Sequence, residues 1–295
     1  MVSNGCKIVA RMSRFKIWAA IAFLLLGACH RMLAQKMAPP VTSLRIYLFD
    51  CGLIKGENPL DYGLSKGEVK NPDMVVPCYL IVHPKGTLMW DAGAIPDSAF
   101  HDNQPVTQSF DGDTVTSPRP LLPQLAALGY PARSITYIAF SHYHFDHIAN
   151  ANAFAGSTWL VHAAERDAMF AAGPKEQAAY SQLRHSRTVI LPSPDYDVFG
   201  DGTVVIKYAP GHTPGHQVLA LILPKTGPVL IAGDLWHYVA ERTARVAPKD
   251  ESNPQQTLAS RAAMEAYLRQ SGAQLWIEHD PATFKRLEKA PDYIE

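Results

Sequence analysis

Three imidazoles and one carboxylate fall within six residues in the stretch Ser141-His142-Tyr143-His144-Phe145-Asp146-His147. Neutral imidazole nitrogens and carboxylate oxygens are ligands that suit a borderline divalent ion such as zinc. Side chains two apart on an extended segment point the same way, so His142 and His144 can grip one ion. Once the chain turns into a helix, Asp146 and His147 project in another direction, and the same pass of backbone can serve a second ion nearby. The opposing reading is a chance gathering of surface histidines, and the rest of the chain weighs against it.

Such a cluster needs a rigid support directly upstream. Residues 135–140, β-branched and aromatic after Gly129 and Pro131, predict a buried strand that delivers the cluster on its exit loop. The arrangement recurs. A strand over 203–208 leads into Ala209-Pro210-Gly211-His212-Thr213-Pro214-Gly215-His216, where glycines and prolines make a stiff turn that can hold a ligand still. An apolar strand over 229–232 ends in Gly233-Asp234, and another over 274–277 ends in Glu278-His279-Asp280. Strand ends at one edge of a layered fold converge, so four of them carrying His or Asp predict one site built from distant sequence.

The other elements follow a mixed rhythm. Strands are expected at 44–49, closed by Asp50-Cys51-Gly52, and at 75–82, 87–90, 158–162, 188–191 and 217–224. Helices are expected at 119–129, 149–154, 165–170, 175–183 and 255–270. Residues 53–73 read as a loop or loose hairpin. Residues 95–118 read as a long loop of the kind that borders active sites, with Phe100, His101 and Phe110 as candidate pocket walls. Strands with interspersed helices imply an α/β class in which helices cover sheets, not a helical bundle or a pure β-sandwich.

The first 29 residues differ in kind from the rest. They hold Lys7, Arg11, Arg14 and Lys16 but no acid, then an apolar run over 17–26 and small residues, the pattern of a signal peptide. That run is too short for a comfortable membrane span. Leu26-Gly27-Ala28-Cys29 resembles a bacterial lipobox, which would tether the mature protein to a membrane through Cys29. Simple cleavage after Ala28 or Ala34 and an uncleaved anchor are the alternatives. The expected organisation is a signal peptide over 1–29, a linker over 30–41 and one domain over 42–295, exported to the periplasm or the envelope surface. The whole chain is formally neutral, and without those four bases it carries about −4, which excludes a nucleic-acid surface. Cys51 and Cys78 lie in apolar, strand-like contexts and are read either as a disulfide or as free buried thiols.

Taken in order, the His142–His147 motif, the turn with His212 and His216, Gly233-Asp234 and Glu278-His279-Asp280 resemble the metallo-β-lactamase superfamily over roughly residues 42–290. Within it the chain is most similar to the N-acyl-homoserine lactone lactonases. The resemblance implies an αββα sandwich of two mixed sheets with a dinuclear site at one edge. It also implies two divalent ions, most simply zinc, the first held by His142, His144 and His212 and the second by Asp146, His147 and His279, with Asp234 bridging. The implied reaction opens the ring of an acyl lactone by attack of a metal-bridging hydroxide, with Asp146 as proton shuttle. β-Lactam hydrolysis and thioester hydrolysis are the alternatives within the superfamily; against the first, the β-lactamases place Cys or Ser where this chain has Asp234.

One departure bears on the substrate. Related lactonases often have Tyr three residues after the bridging Asp, where this chain has His237 followed by Tyr238. Both are candidate catalytic residues, His237 as a hydrogen-bond donor to the substrate carbonyl. A plain pocket-wall role is the alternative. His216 is expected to support the site and not to bind metal. Asp91 and Asp280 are expected either to orient metal-bound imidazoles or to stabilise turns.

Overall fold

Residues Met74–His83 leave no solvated position: all ten are buried. A strand that apolar belongs in the middle of a sheet covered on both faces. The computed structural model describes Met1 and residues 37–295 apart from 103, 111 and 245 and the side chain of Glu176, and Met37–Glu295 forms one unit. The signal peptide, Cys29 with its tether and most of the expected linker lie outside the described residues.

Among the described residues there are two sheets. Strands β1 (Arg45–Lys55), β2 (Met74–His83), β3 (Gly86–Trp90), β4 (Val106–Phe110), β5 (Asp113–Ser117), β6 (Tyr137–Ala139), β7 (Thr158–Val161) and β8 (Thr188–Ile190) make the first, in the order β4-β5-β1-β2-β3-β6-β7-β8. The second contains β9 (Asp195–Asp197), β10 (Val204–Tyr208), β11 (Gln217–Leu223), β12 (Gly227–Ile231) and β13 (Gln274–Trp276), in the order β13-β12-β11-β10-β9. Both are mixed: β3-β6-β7-β8 and β12-β13 pair in parallel, the rest antiparallel.

Alternation along the strands sorts side chains into three apolar layers. Ile46 and Leu48 of β1, Tyr79 and Ile81 of β2 and Trp90 of β3 face Val204, Leu219, Val229 and Trp276 of the second sheet. The opposite face of the first sheet, with Phe49, Val76, Leu80 and Met89, packs against helices α1 (Leu121–Ala127), α2 (Phe145–Ile148) and α3 (Ala163–Ala171). Val218, Ala220 and Leu230 on the outside of the second sheet pack against Met264 and Leu268 of α4 (Pro254–Ser271). A short helix α5 (Pro281–Arg286) ends the run. Helix, sheet, sheet, helix is the αββα sandwich expected from the sequence.

Several boundaries differ from the expectation. β1 does not stop at Asp50 but continues to Lys55, because a register shift between Asp50 and Leu53 absorbs the turn-like residues as a bulge. Pro77 pairs opposite Asp50, so its missing N–H falls beside that irregularity. The loop expected at 95–118 contains the β4–β5 hairpin. Its edge strand β4 alternates half-buried and exposed positions, and β5 buries only Val115 among its apolar side chains, so the hairpin carries little apolar signal. The strand before the histidine cluster spans only Tyr137–Ala139. The helix expected at 149–154 is a 3-10 turn, Ala151–Phe154, and that at 175–183 is two such turns, Glu176–Ala179 and Ser181–His185. Neither β9 nor α5 was foreseen. Cys51 and Cys78 form a disulfide between β1 and β2.

Candidate metal centre

The loop after β6 is pinned before it turns. Asp91, at the end of β3, takes a positive φ of 58°, rare for a residue with a Cβ, and its N–H donates to the Ala139 carbonyl. From there its carboxylate accepts from the Ser141 N–H (2.7 Å) and hydroxyl (3.0 Å), and Oδ2 lies 2.9 Å from His147 Nδ1. One side chain thus fixes both the start of the loop and the imidazole that ends it. Between them His144 is extended, and α2 begins at Phe145, which turns Asp146 and His147 inward.

Two groups result. His142, His144, His212 and Asp234 form one, and Asp146, His147 and His279 the other, with donor atoms within 4.8 Å of one another in each. In the first, His212 Nε2 is 3.2 Å from His142 Nε2 and 3.0 Å from His144 Nδ1. In the second, His147 Nε2 lies 3.3 Å and His279 Nε2 3.5 Å from Asp146 Oδ2. Asp234 is shared. Its Oδ2 is 3.5 Å from His142 Nε2 and 3.4 Å from His212 Nε2, while its Oδ1 is 3.2 Å from His147 Nε2 and 3.0 Å from His279 Nε2. All seven residues named from the sequence are therefore brought together.

The donors fit divalent ions. His147 Nε2 and Asp234 Oδ1 are buried and no hydrogen bond reaches either, although an unmet buried polar atom costs about 1–3 kcal/mol. Burial takes the pKa of His142 well below the ordinary imidazole range and that of His144 down to about 3, so both offer neutral lone pairs at neutral pH. Burial also opposes charge on Asp146 and Asp234, but facing imidazoles outweigh it. His147 and His279 hold Asp146 at about 2 and Asp234 well below the carboxylate range. The same carboxylates, with Asp91, outweigh burial at His147 and raise it well above its usual value. A proton on an imidazole balances the carboxylates where cations would, and metal binding displaces it.

The other ring nitrogens of His142, His212 and His279 are tied from behind. His142 Nδ1 meets the Ser141 hydroxyl at 3.1 Å, His212 Nδ1 lies 3.2 Å from Glu251 Oε1, and His279 Nδ1 donates to the Val75 carbonyl at 2.8 Å. Such partners orient metal-binding histidines. His216 spends both nitrogens on backbone, donating from Nδ1 to the Ala209 carbonyl and accepting at Nε2 from the Asp234 N–H, 3.0 Å each. It supports Asp234, as expected. A Cβ at Gly233, where φ is 52°, would fall 2.7 Å from His216 Nε2 and from the Ser141 Cβ, so only glycine lets the carboxylate loop approach this closely.

His237 Nε2 lies 3.2 Å from Asp234 Oδ2, and its Nδ1 faces Glu241 at 3.5 Å, a buried carboxylate held in turn by Arg261. Tyr238 takes a different course: its hydroxyl donates to the Pro72 carbonyl at 2.8 Å. Of the adjacent pair, His237 reaches the shared carboxylate, whereas Tyr238 packs into the outer core against Tyr62 and does not approach the histidine groups. Asp91 orients His147, whereas Asp280 caps α5 through the N–H groups of Ala282 and Thr283. Sequence reading missed Glu165, Glu241 and Glu251, because a lone Glu in a helical or polar context reads as a solvated face. It also missed Tyr62, whose ring lies 4.7 Å from that of His237 and whose hydroxyl donates to Glu57 at 3.0 Å.

Beside His144 opens a cavity of about 950 Å³, mostly apolar, with Phe110, Leu122, Phe145, Ile148 and Tyr180 among its walls. Phe110 of the edge hairpin stacks on Phe145 of the metal loop at 4.8 Å. Phe110 is the pocket residue expected from the sequence; Phe100 instead packs against the outer core, and His101 is exposed.

Comparison with known proteins agrees with this geometry. The chain is 26% identical over 272 residues to the N-acyl homoserine lactonase AttM of Azorhizobium caulinodans, covering 86% of this chain and 100% of the relative. It is 29% identical over 240 residues to an N-acyl homoserine lactonase of a Bacillus species, covering 78% and 90%. Among solved structures, an N-acyl homoserine lactone hydrolase with N-hexanoyl-L-homoserine at its catalytic metal center superposes with a TM-score of 0.70 at 24% identity, covering 86% of this chain and all of that one. The dizinc quorum-quenching lactonase AidC superposes with a TM-score of 0.61 at 18% identity, covering 88% and 97%. Residues 71–266, more than half of the chain, match the metallo-beta-lactamase superfamily itself. On that match and the shared αββα architecture, the protein belongs to the metallo-β-lactamase superfamily.

Proposed function

We propose that the protein is a dinuclear metal-dependent lactonase that hydrolyses N-acyl-homoserine lactones. His142, His144 and His212 would hold one divalent ion and Asp146, His147 and His279 the other, with Asp234 available to both. The observation that carries this reading is the split of Asp234, with one carboxylate oxygen turned to each group of imidazoles. When bound, two such cations supply Lewis acidity and lower the pKa of water, which makes a nucleophile available near neutral pH. Zinc is the simplest fit to a donor set of imidazoles and carboxylates.

The chain's own residues do the rest. The Asp146 carboxylate, with Oδ2 facing His147 and His279, would take the proton lost by water on its other oxygen and pass it to the ring oxygen as the ester C–O bond breaks. Water is consumed, and the products are a carboxylate, a hydroxyl and one released proton at neutral pH. His237, oriented by Glu241, donates from Nε2 to the substrate carbonyl. The acyl chain lies in the apolar cavity against Phe110 and Phe145, which favours long chains over short ones. Export of the protein is part of the proposal, and the buried Cys51–Cys78 disulfide supports it, since such bonds persist in oxidising compartments.

Purified, metal-loaded protein is to be assayed with an acyl-homoserine lactone, a cephalosporin and a thioester. Proton release with formation of the N-acyl-homoserine is the expected result. Hydrolysis of the cephalosporin alone would overturn the proposal.

A further inference from the structure

Glu165 touches none of the seven residues above, yet it binds the two loops that carry the first group. It lies in the first turn of α3, 3% exposed. Its Oε1 accepts from the Tyr143 N–H at 2.8 Å, between His142 and His144. Its Oε2 accepts from the Thr213 hydroxyl at 2.7 Å and the Gly215 N–H at 2.8 Å, just after His212. The approach is close enough that a Cβ at Gly215 would fall 2.4 Å from the Glu165 backbone nitrogen. The two loops come from different sheets, since one leaves β6 and the other follows β10. The second group is held differently: Asp146 and His147 share one helix, and His279, after β13, is joined to β2 of the other sheet through Val75.

We infer that Glu165 is a positioning residue for the first metal centre, setting the distance between the His142–His144 loop and His212 through three hydrogen bonds. The argument is geometric. Gln217, at the start of β11, already joins the base of the His142–His144 loop to the second sheet through the Ser141 and Phe140 carbonyls (2.9 and 2.8 Å), and Glu165, with donors on both carboxylate oxygens, adds the tie further along, between the histidines themselves. Burial pushes its carboxyl up to about 7, and the same three hydrogen bonds act against that burial by favouring the carboxylate. Partners that orient metal-binding groups typically change affinity by about 10–100-fold.

The inference rests on the dinuclear centre proposed above, and its test reads metal affinity without lactone turnover. Cobalt is titrated into the metal-depleted full chain against a competing chelator, and its visible absorption is assigned to each centre with His212→Ala and His279→Ala. Glu165→Ala is expected to weaken cobalt at the first centre by at least about tenfold and to leave the second within about twofold. Thr213→Val, which removes one of the three bonds, is expected to shift the first centre in the same direction by less, with Thr213→Ser restoring it. If Glu165→Ala does not fold, the Thr213 pair carries the test on the same criterion. Unchanged affinities in the folded variants, or equal losses at both centres, would overturn the role of Glu165. A wild-type chain that binds no cobalt would overturn the dinuclear centre as well.

Discussion

At the scale of single residues, Asp234 and His237 separate two kinds of contribution. Asp234 turns one oxygen to each histidine group, so its loss removes a donor from both at once. Asp234→Ala is expected to bind one ion or fewer per chain and to lose more than the ~100-fold that removal of a supporting partner costs. Elemental analysis showing two ions still bound would contradict this. His237 has a different job. In the proposed reaction its Nε2, 3.2 Å from Asp234 Oδ2, would donate to the substrate carbonyl, with Glu241 behind it. His237→Phe is expected to lower kcat by about 10²-fold, the usual loss for one donor to a developing oxyanion, with metal content unaltered. Unaltered kinetics would remove it from the mechanism.

Among elements, the β4–β5 hairpin is the one that most changes the reading of the site. It carries Phe110 to the edge of the cavity and onto Phe145, joining a sheet edge to the metal loop. Phe110→Ala is expected to raise KM for a long-chain lactone by about tenfold, on the order of the ~1.5 kcal/mol of apolar contact removed. A short-chain substrate should be nearly unaffected. Equal effects on both would mean that the acyl chain lies elsewhere.

For the whole molecule, the disulfide matters most. Cys51 and Cys78 sit 27 residues apart on β1 and β2, next to the bulge. Cys51→Ser with Cys78→Ser is expected to cost about 2–4 kcal/mol of stability while metal stoichiometry holds. Chemical denaturation of the oxidised and doubly substituted proteins measures this, and equal midpoints would show the bond to be dispensable. Removal of metal is a separate lever: ions that bind only the folded chain stabilise it by mass action, so chelation should lower the melting temperature of both proteins.

What could be read without coordinates was whatever depends on local pattern. The candidate metal-binding residues stand directly after apolar runs, so composition and strand-end placement pointed to His and Asp clusters meeting at one edge of helix-covered sheets; the choice of seven ligands and the αββα sandwich came from the motifs' resemblance to a known family. His216 was legible as a support because it shares a stiff turn with His212. Whatever depends on contact between distant segments was not legible. Asp91 and Asp280 look alike in sequence, yet one holds His147 and the other caps a helix. The β4–β5 hairpin has only Val106, Phe110 and Val115 as apolar residues, too few to stand out as strands, and its pairing with β1 comes from the sheet it joins. Glu165, Glu241 and Glu251 read as solvated carboxylates until folding buries them against the loops they hold. Sequence reports which groups can do chemistry, because that follows from residue type; only the folded chain decides which groups hold them in place, because that follows from distance.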